Sequence, residues 1–201
     1  MRHQLLTTLA AAALIAGCKA PAPAPADKAE AAAPATAAPA AATPAGWKTH
    51  ADPELGVSFD YPADRQIMRC PDIEGPCAMV GGGGRSPLMV QPFDGGLEAV
   101  AREHAGFEPQ GTQQGAEWKT TYGRFEPVTV QRFTGEGWTG MRATITCGIS
   151  DESGFHAGAG ECLWAVLSDG ARSAVVTTDG LLPIDAEVER TVASVRFLQG
   201  R

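Results

Sequence analysis

No asparagine occurs in the 201 residues, so the chain has no acceptor for N-linked glycosylation. Lysine is nearly as scarce, four residues against 12 arginines. With the abundant alanine, glycine and proline, that bias reflects GC-rich codon usage and carries no functional meaning. Bases are outnumbered, 16 against 23 acids, and removal of residues 1–17 takes Arg2 away and leaves a formal charge of −8. Such a balance argues against binding nucleic acid or anionic lipid head groups. No hydrophobic stretch reaches the roughly 20 residues needed to cross a bilayer; Leu5 to Ala16 is 12 residues. There is no H-E-x-x-H, no G-x-S-x-G and no internal repeat. Gly81–Gly84 lack the Lys-Ser/Thr pair of a phosphate-binding loop and run through Arg85 and Ser86 into Pro87, so they read as a loop between strands.

What the chain does have begins at its N-terminus. A basic start, the apolar run and then Ile15-Ala16-Gly17-Cys18 follow the charged, apolar and small-residue order of a secretion signal. With cysteine directly after the small residues, the segment resembles a bacterial lipoprotein lipobox. The resemblance implies that residues 1–17 are removed and that Cys18 carries lipid and anchors the chain to a membrane. Lys19 in the next position resembles signals that permit sorting to the outer membrane, facing the periplasm. Residues 19–46 hold 15 alanines and 6 prolines among 28 positions, too little large apolar surface to offset the entropy of folding. They read as a spacer, about 85 Å long if fully extended.

All four Trp, all seven Phe and both Tyr lie from Trp47 onward, and residues 47–201 suit a single globular domain. Trp47–His50 and Val57–Tyr61 read as strands about the turn-forming Asp52-Pro53-Glu54-Leu55-Gly56. Val57, Phe59 and Tyr61 alternate with polar residues as in a half-buried strand. Leu88–Phe93, Val128–Phe133, Gly140–Cys147, Glu161–Leu167 and Arg172–Thr178 are further candidates. Leu97, Val100, Ala101 and His104 follow helical spacing up to Gly106. Pro183 opens a second helix with a stripe of Ile184, Val188, Val192 and Val195. The pattern predicts an α+β fold, an antiparallel meander packed by two helices.

Four cysteines remain beyond Cys18, an even number that reads as disulfides in an exported domain. Three pairings are possible, and the local one, Cys70 with Cys77 and Cys147 with Cys162, is expected. Their spacings lack the close pairs of zinc sites. No cofactor or metal is indicated, and no group of residues outweighs an ordinary structural explanation. Ser150, Asp151, Ser153 and His156, in a glycine-rich loop expected over 148–161, have the residue types of a hydrolase, but sequence neighbours rarely converge as a triad. His50 shows no partner signal, and His104, on the apolar stripe of the first helix, reads as a packed or partly exposed residue at the edge of the core. Trp118, Trp138 and Trp164 read as core, and Glu98–Arg102 as a helical i,i+4 pair.

The two ends of the domain carry one further likeness. Gly56-Val57-Ser58-Phe59-Asp60-Tyr61-Pro62 resembles the early strand of PsbP-like domains, although Asp64 and Arg65 stand where those domains often place an aromatic. Val192-Ala193-Ser194-Val195-Arg196-Phe197 resembles their closing helix and strand. The resemblance implies an α/β/α sandwich and a non-enzymatic accessory or binding role, with no catalytic residues to carry over. The expected protein is thus a membrane-anchored envelope lipoprotein presenting a non-catalytic binding module, with an envelope protein as the expected partner. An inhibitor or immunity-type protein against a cell-wall hydrolase is the first rival, since an acidic domain suits a basic target. A hydrolase using residues 148–161 is the second.

Overall fold

The alternation at Val57, Phe59 and Tyr61 becomes strand β2 (Val57–Pro62), paired antiparallel with β1 (Trp47–Asp52) on one edge and β13 (Arg196–Phe197) on the other. This computed structural model describes residues 43–199 other than 72, 85–86, 112–115, 122–126, 152–153 and 179–183, and of 148–159 the backbone alone. The β1–β2 turn forms as its residues dictate. Asp52 Oδ1 accepts hydrogen bonds from the Glu54 and Leu55 amides, and Gly56 takes the left-handed conformation (φ +68°) that glycine adopts freely. Strand β2 is more deeply buried than a one-sided strand should be. Ser58 and Asp60 are also inside, and Thr49 Oγ1 donates to Asp60 Oδ1 at 2.7 Å.

A seven-stranded antiparallel sheet forms the middle layer. Its strands are β3 (Gln66–Arg69), β4 (Ala78–Gly81), β5 (Leu88–Asp94), β9 (Gln131–Gly135), β10 (Trp138–Asp151), β11 (Gly154–Ser168) and β12 (Arg172–Thr178). They run in the order β3-β4-β5-β12-β11-β10-β9. On one face lie the β1-β2-β13 sheet and helix α2 (Ala186–Ala193). Phe59, Val188 and Val192 there pack with Val80, Val90, Leu167 and Val176 of the middle sheet. On the other face lie helix α1 (Leu97–Ala105) and a small sheet of β6 (Phe107–Gln110), β7 (Glu117–Thr120) and β8 (Val128–Thr129). Val100, Phe107 and Trp118 there pack with Met141, Ile145 and Val166. The single strand expected over Val128–Phe133 divides at Val130, whose amide donates to Trp118 O of β7 while the following residues pair with β10.

This overturns the expected fold class. The domain is β-rich, with thirteen strands in three sheets and two helices among the described residues, and is not an α+β meander or PsbP-like α/β/α sandwich packed by two helices. The physical reason is one of length. Helix α1 has nine residues and α2 eight, so each is about 12–14 Å long at 1.5 Å per residue. Seven strands need cover across roughly 29 Å at the usual spacing. Each helix therefore shares its face with a three-stranded sheet built from short segments that carry little periodicity.

The structure pairs Cys70 with Cys77 and Cys147 with Cys162. Disulfides persist in oxidising compartments, and these two put the protein outside the cytoplasm, in a secreted or envelope setting. Among the described residues no helix is long and apolar enough to cross a membrane.

Candidate functional site

Residues two apart on a strand share a face, so β1 presents His50 and Asp52 together. The imidazole leans on Phe59, its cross-strand partner, with ring centroids 5.3 Å apart. Its Nε2 is shielded from solvent, makes no hydrogen bond and lies 3.9 Å from Asp52 Oδ2. Asp52 cannot turn away, because its other oxygen holds the β1–β2 turn. Facing this edge is the β3–β4 hairpin, whose loop is closed by Cys70–Cys77. Arg65 braces it from beneath by donating through Nη2 to Val80 O at 3.0 Å.

Between the turn and the hairpin opens a cleft of about 430 Å³, within the size range of small-ligand sites. Asp52, Glu54 and Arg69 supply its charge and His50 an imidazole, while Ile67, Met68 and Pro76 supply apolar wall. The sulfur of Cys77, which also lines it, is locked in the disulfide and offers no nucleophile. What remains is an imidazole, carboxylates and a guanidinium on a partly apolar floor, a set suited to holding a polar ligand by charge and shape. Among the described residues no three His, Cys, Asp or Glu side chains are grouped to hold a metal. A smaller cavity of about 180 Å³ lies between Leu55, Phe93, Arg172 and Phe197.

Cys18 lies outside the described residues. The expected loop over 148–161 is instead the end of the β10–β11 hairpin, with Ile149 opposite His156, Ser150 opposite Phe155 and Asp151 opposite Gly154. Glycine-rich composition concealed strand continuity there. Ser153 and the side chains of Ser150, Asp151 and His156 lie outside the description. His104 stacks on Phe93 with ring centroids 3.8 Å apart. Trp118 and Trp138 are buried, and Trp164 packs half-buried at the margin of the core. Glu98 meets Arg102 at 4.0 Å and also Arg132 at 2.6 Å, with both guanidinium groups near the Trp118 ring. The cleft leaves little trace in the sequence. The i,i+2 spacing of His50 and Asp52 was the available signal, but only the fold brings the hairpin opposite it.

No protein-family model matches the chain, and no curated protein matches it. Among solved structures, a Bacteroides thetaiotaomicron VPI-5482 protein known at 1.50 Å resolution is similar with a TM-score of 0.41 and 11% identity. The match covers 76% of this chain and 48% of that one, so this chain spans about half of its length. A likeness of that size says nothing about function.

Proposed function

We propose that this chain is an envelope lipoprotein whose domain is a non-catalytic binding or accessory module. The order of its sequence carries the reading: apolar leader, Gly17-Cys18, a spacer rich in alanine and proline, then a disulfide-closed domain. Lipid on Cys18 anchors the protein to the outer membrane, facing the periplasm. More than one acyl chain makes such retention stable. Geometry adds support for the binding role. The chain enters the domain at Gly46 and Trp47, where Ala63 N donates to Gly46 O at 2.9 Å and the Arg190 guanidinium lies 4.6 Å from the Trp47 ring. The cleft lies at the other end of β1, about 17 Å further on at 3.3 Å per residue.

Replacing Cys18 with Ser tests the anchor. The variant is expected in the soluble periplasmic fraction or as an unprocessed precursor; a variant that stays membrane-bound with unchanged mobility refutes it. The acidic domain favours one other reading, inhibition of a basic cell-wall hydrolase. Loss of lysozyme activity on titration with the purified protein is the result that selects it.

A further inference from the structure

Three methionines of this chain stand in one line. Met68 on β3 is the register partner of Met79 on β4, and Met79 that of Met89 on β5. Directly opposed residues of antiparallel strands share a face, with Cβ atoms about 4.5–5.5 Å apart. The face is the one opposite Val80, Leu88 and Val90, which point into the core. None of the three methionines belongs to the core that packs under α1 and the β6–β8 sheet. Met68 is 39% exposed, the one large apolar side chain so open among the described residues, and Met79 and Met89 are half-buried. Of the five methionines, the two others are Met1 and Met141, and Met141 is completely buried.

A second observation concerns Gly81. Its backbone does not have the positive φ that requires glycine, yet a Cβ there would lie 2.2 Å from the Met68 methyl carbon. The missing side chain provides the space that the end of the Met68 thioether occupies. Methionine has three rotatable side-chain bonds and a polarisable sulfur, so three such arms on adjacent strands can bring their sulfurs to one point above Met79. Thioethers are soft, uncharged donors that favour Cu(I). The four domain cysteines are tied in disulfides, which leaves methionine as the soft donor within the domain.

We propose that Met68, Met79 and Met89 form a surface thioether site for a soft monovalent cation of the Cu(I) and Ag(I) class. It meets the cleft at Met68, which also lines the cleft wall, and does not depend on the lipoprotein reading. Silver(I), which is redox-inert, is the probe: the full chain carrying Cys18→Ser, which removes the thiol outside the two disulfides, is labelled with ¹³C-methyl methionine, titrated in chloride-free buffer and followed by NMR. The Met68, Met79 and Met89 methyl signals are expected to shift together and saturate at one equivalent, while Met141 stays still. Met79→Leu keeps the apolar volume and should weaken binding at least tenfold, as should Met89→Leu. An unchanged spectrum away from the row verifies that each variant is folded. Anaerobic competition of Cu(I) against a chromogenic chelator should rank the variants in the same order. Shifts confined to histidine neighbours, shifts of Met68 alone, or equal affinity in Met79→Leu would overturn the proposal.

Discussion

The two faces of the seven-stranded sheet are made by alternate residues of the same strands, and they have different fates. Toward β1, β2, β13 and α2 the core is continuous from Val80 and Leu88 on one side to Trp138 on the other. It is fastened by specific polar bonds: Trp138 Nε1 donates to Val195 O at 2.7 Å, and the Asp60 amide donates to Ser194 Oγ at 2.8 Å. Toward α1 the core runs from Cys147 and Met141 to Val175 on β12, and Phe93 joins it at the margin. Beyond that margin β3, β4 and β5 carry the exposed Met68 and the half-buried Met79 and Met89. A sheet face need not be closed over its full width, and what stands on the open part is free to serve a purpose other than packing.

The largest test of this contrast is at Trp138. Trp138→Ala removes a side chain only 4% exposed and should cost about 3–5 kcal/mol in urea unfolding. Trp138→Phe keeps most of the volume but leaves the Val195 carbonyl without its donor, for about 1–3 kcal/mol. Met79→Leu on the open part should move the midpoint within about 0.5 kcal/mol. If Trp138→Phe is as harmless as Met79→Leu, the Val195 bond does not fasten the closed face. The disulfides come next. Cys147 and Cys162 are 15 residues apart and Cys70 and Cys77 seven apart. Replacing each pair by alanine should cost about 3 and 2.4 kcal/mol respectively by the loop-closure relation. A larger loss from the short loop would show that the β3–β4 hairpin wall depends on its bridge more than the β10–β11 arm does.

Much of this architecture is visible in the chain before folding. The turn at Asp52–Gly56, the strand at Val57–Tyr61, helix α1 ending at Gly106 and the valine stripe of α2 all rest on local signals of period or turn chemistry. Gln66–Arg69, Ala78–Gly81, Phe107–Gln110 and Glu117–Thr120 are four-residue strands. Too short for a period to show, they are set by their partners, and without them the layers looked helical. The candidate site was less legible still. His50 and Asp52 are near in sequence, but the hairpin opposite arrives from residues 66–81. The methionine row exists only through register, because Met68, Met79 and Met89 are 11 and 10 positions apart and no spacing rule links them.

The two helices sharpen the comparison at smaller scale. Helix α2, on the closed face, starts at Asp185, whose Oδ1 accepts from the Glu187 and Val188 amides at 2.9 and 3.0 Å. Helix α1 starts at Gly96 with no side-chain cap. Asp185→Ala should therefore lose about 1 kcal/mol in urea unfolding. Hydrogen exchange should accelerate in the first turn of α2 and leave α1 unchanged. Equal acceleration in both helices would mean that the cap stabilises the whole domain and not its own helix.

The smallest expected effect lies at the β11–β12 turn, where the closed face meets β13. Burial raises the pKa of the Asp169 carboxyl, but hydrogen bonds from the Arg172 backbone, the Arg172 side chain and the Ala171 amide outweigh it, together with the Arg172 charge, and hold the group below its ordinary value. A carboxylate depressed in the folded state adds stability that is complete above the unfolded pKa of about 4 and lost as pH falls through the folded value. Asp169→Asn should thus destabilise the domain at pH 7, with the gap to the parent narrowing once the pH drops below about 4. Arg172 also donates to Leu198 O at 3.0 Å and lies 5.4 Å from the Phe197 ring, so slackening at Asp169 should reach β13. Urea unfolding at pH 7 and at pH 3, with amide exchange at Phe197 as local readout, measures both effects. A gap of the same size at both pH values would show that the turn needs the shape of Asp169 and not its charge.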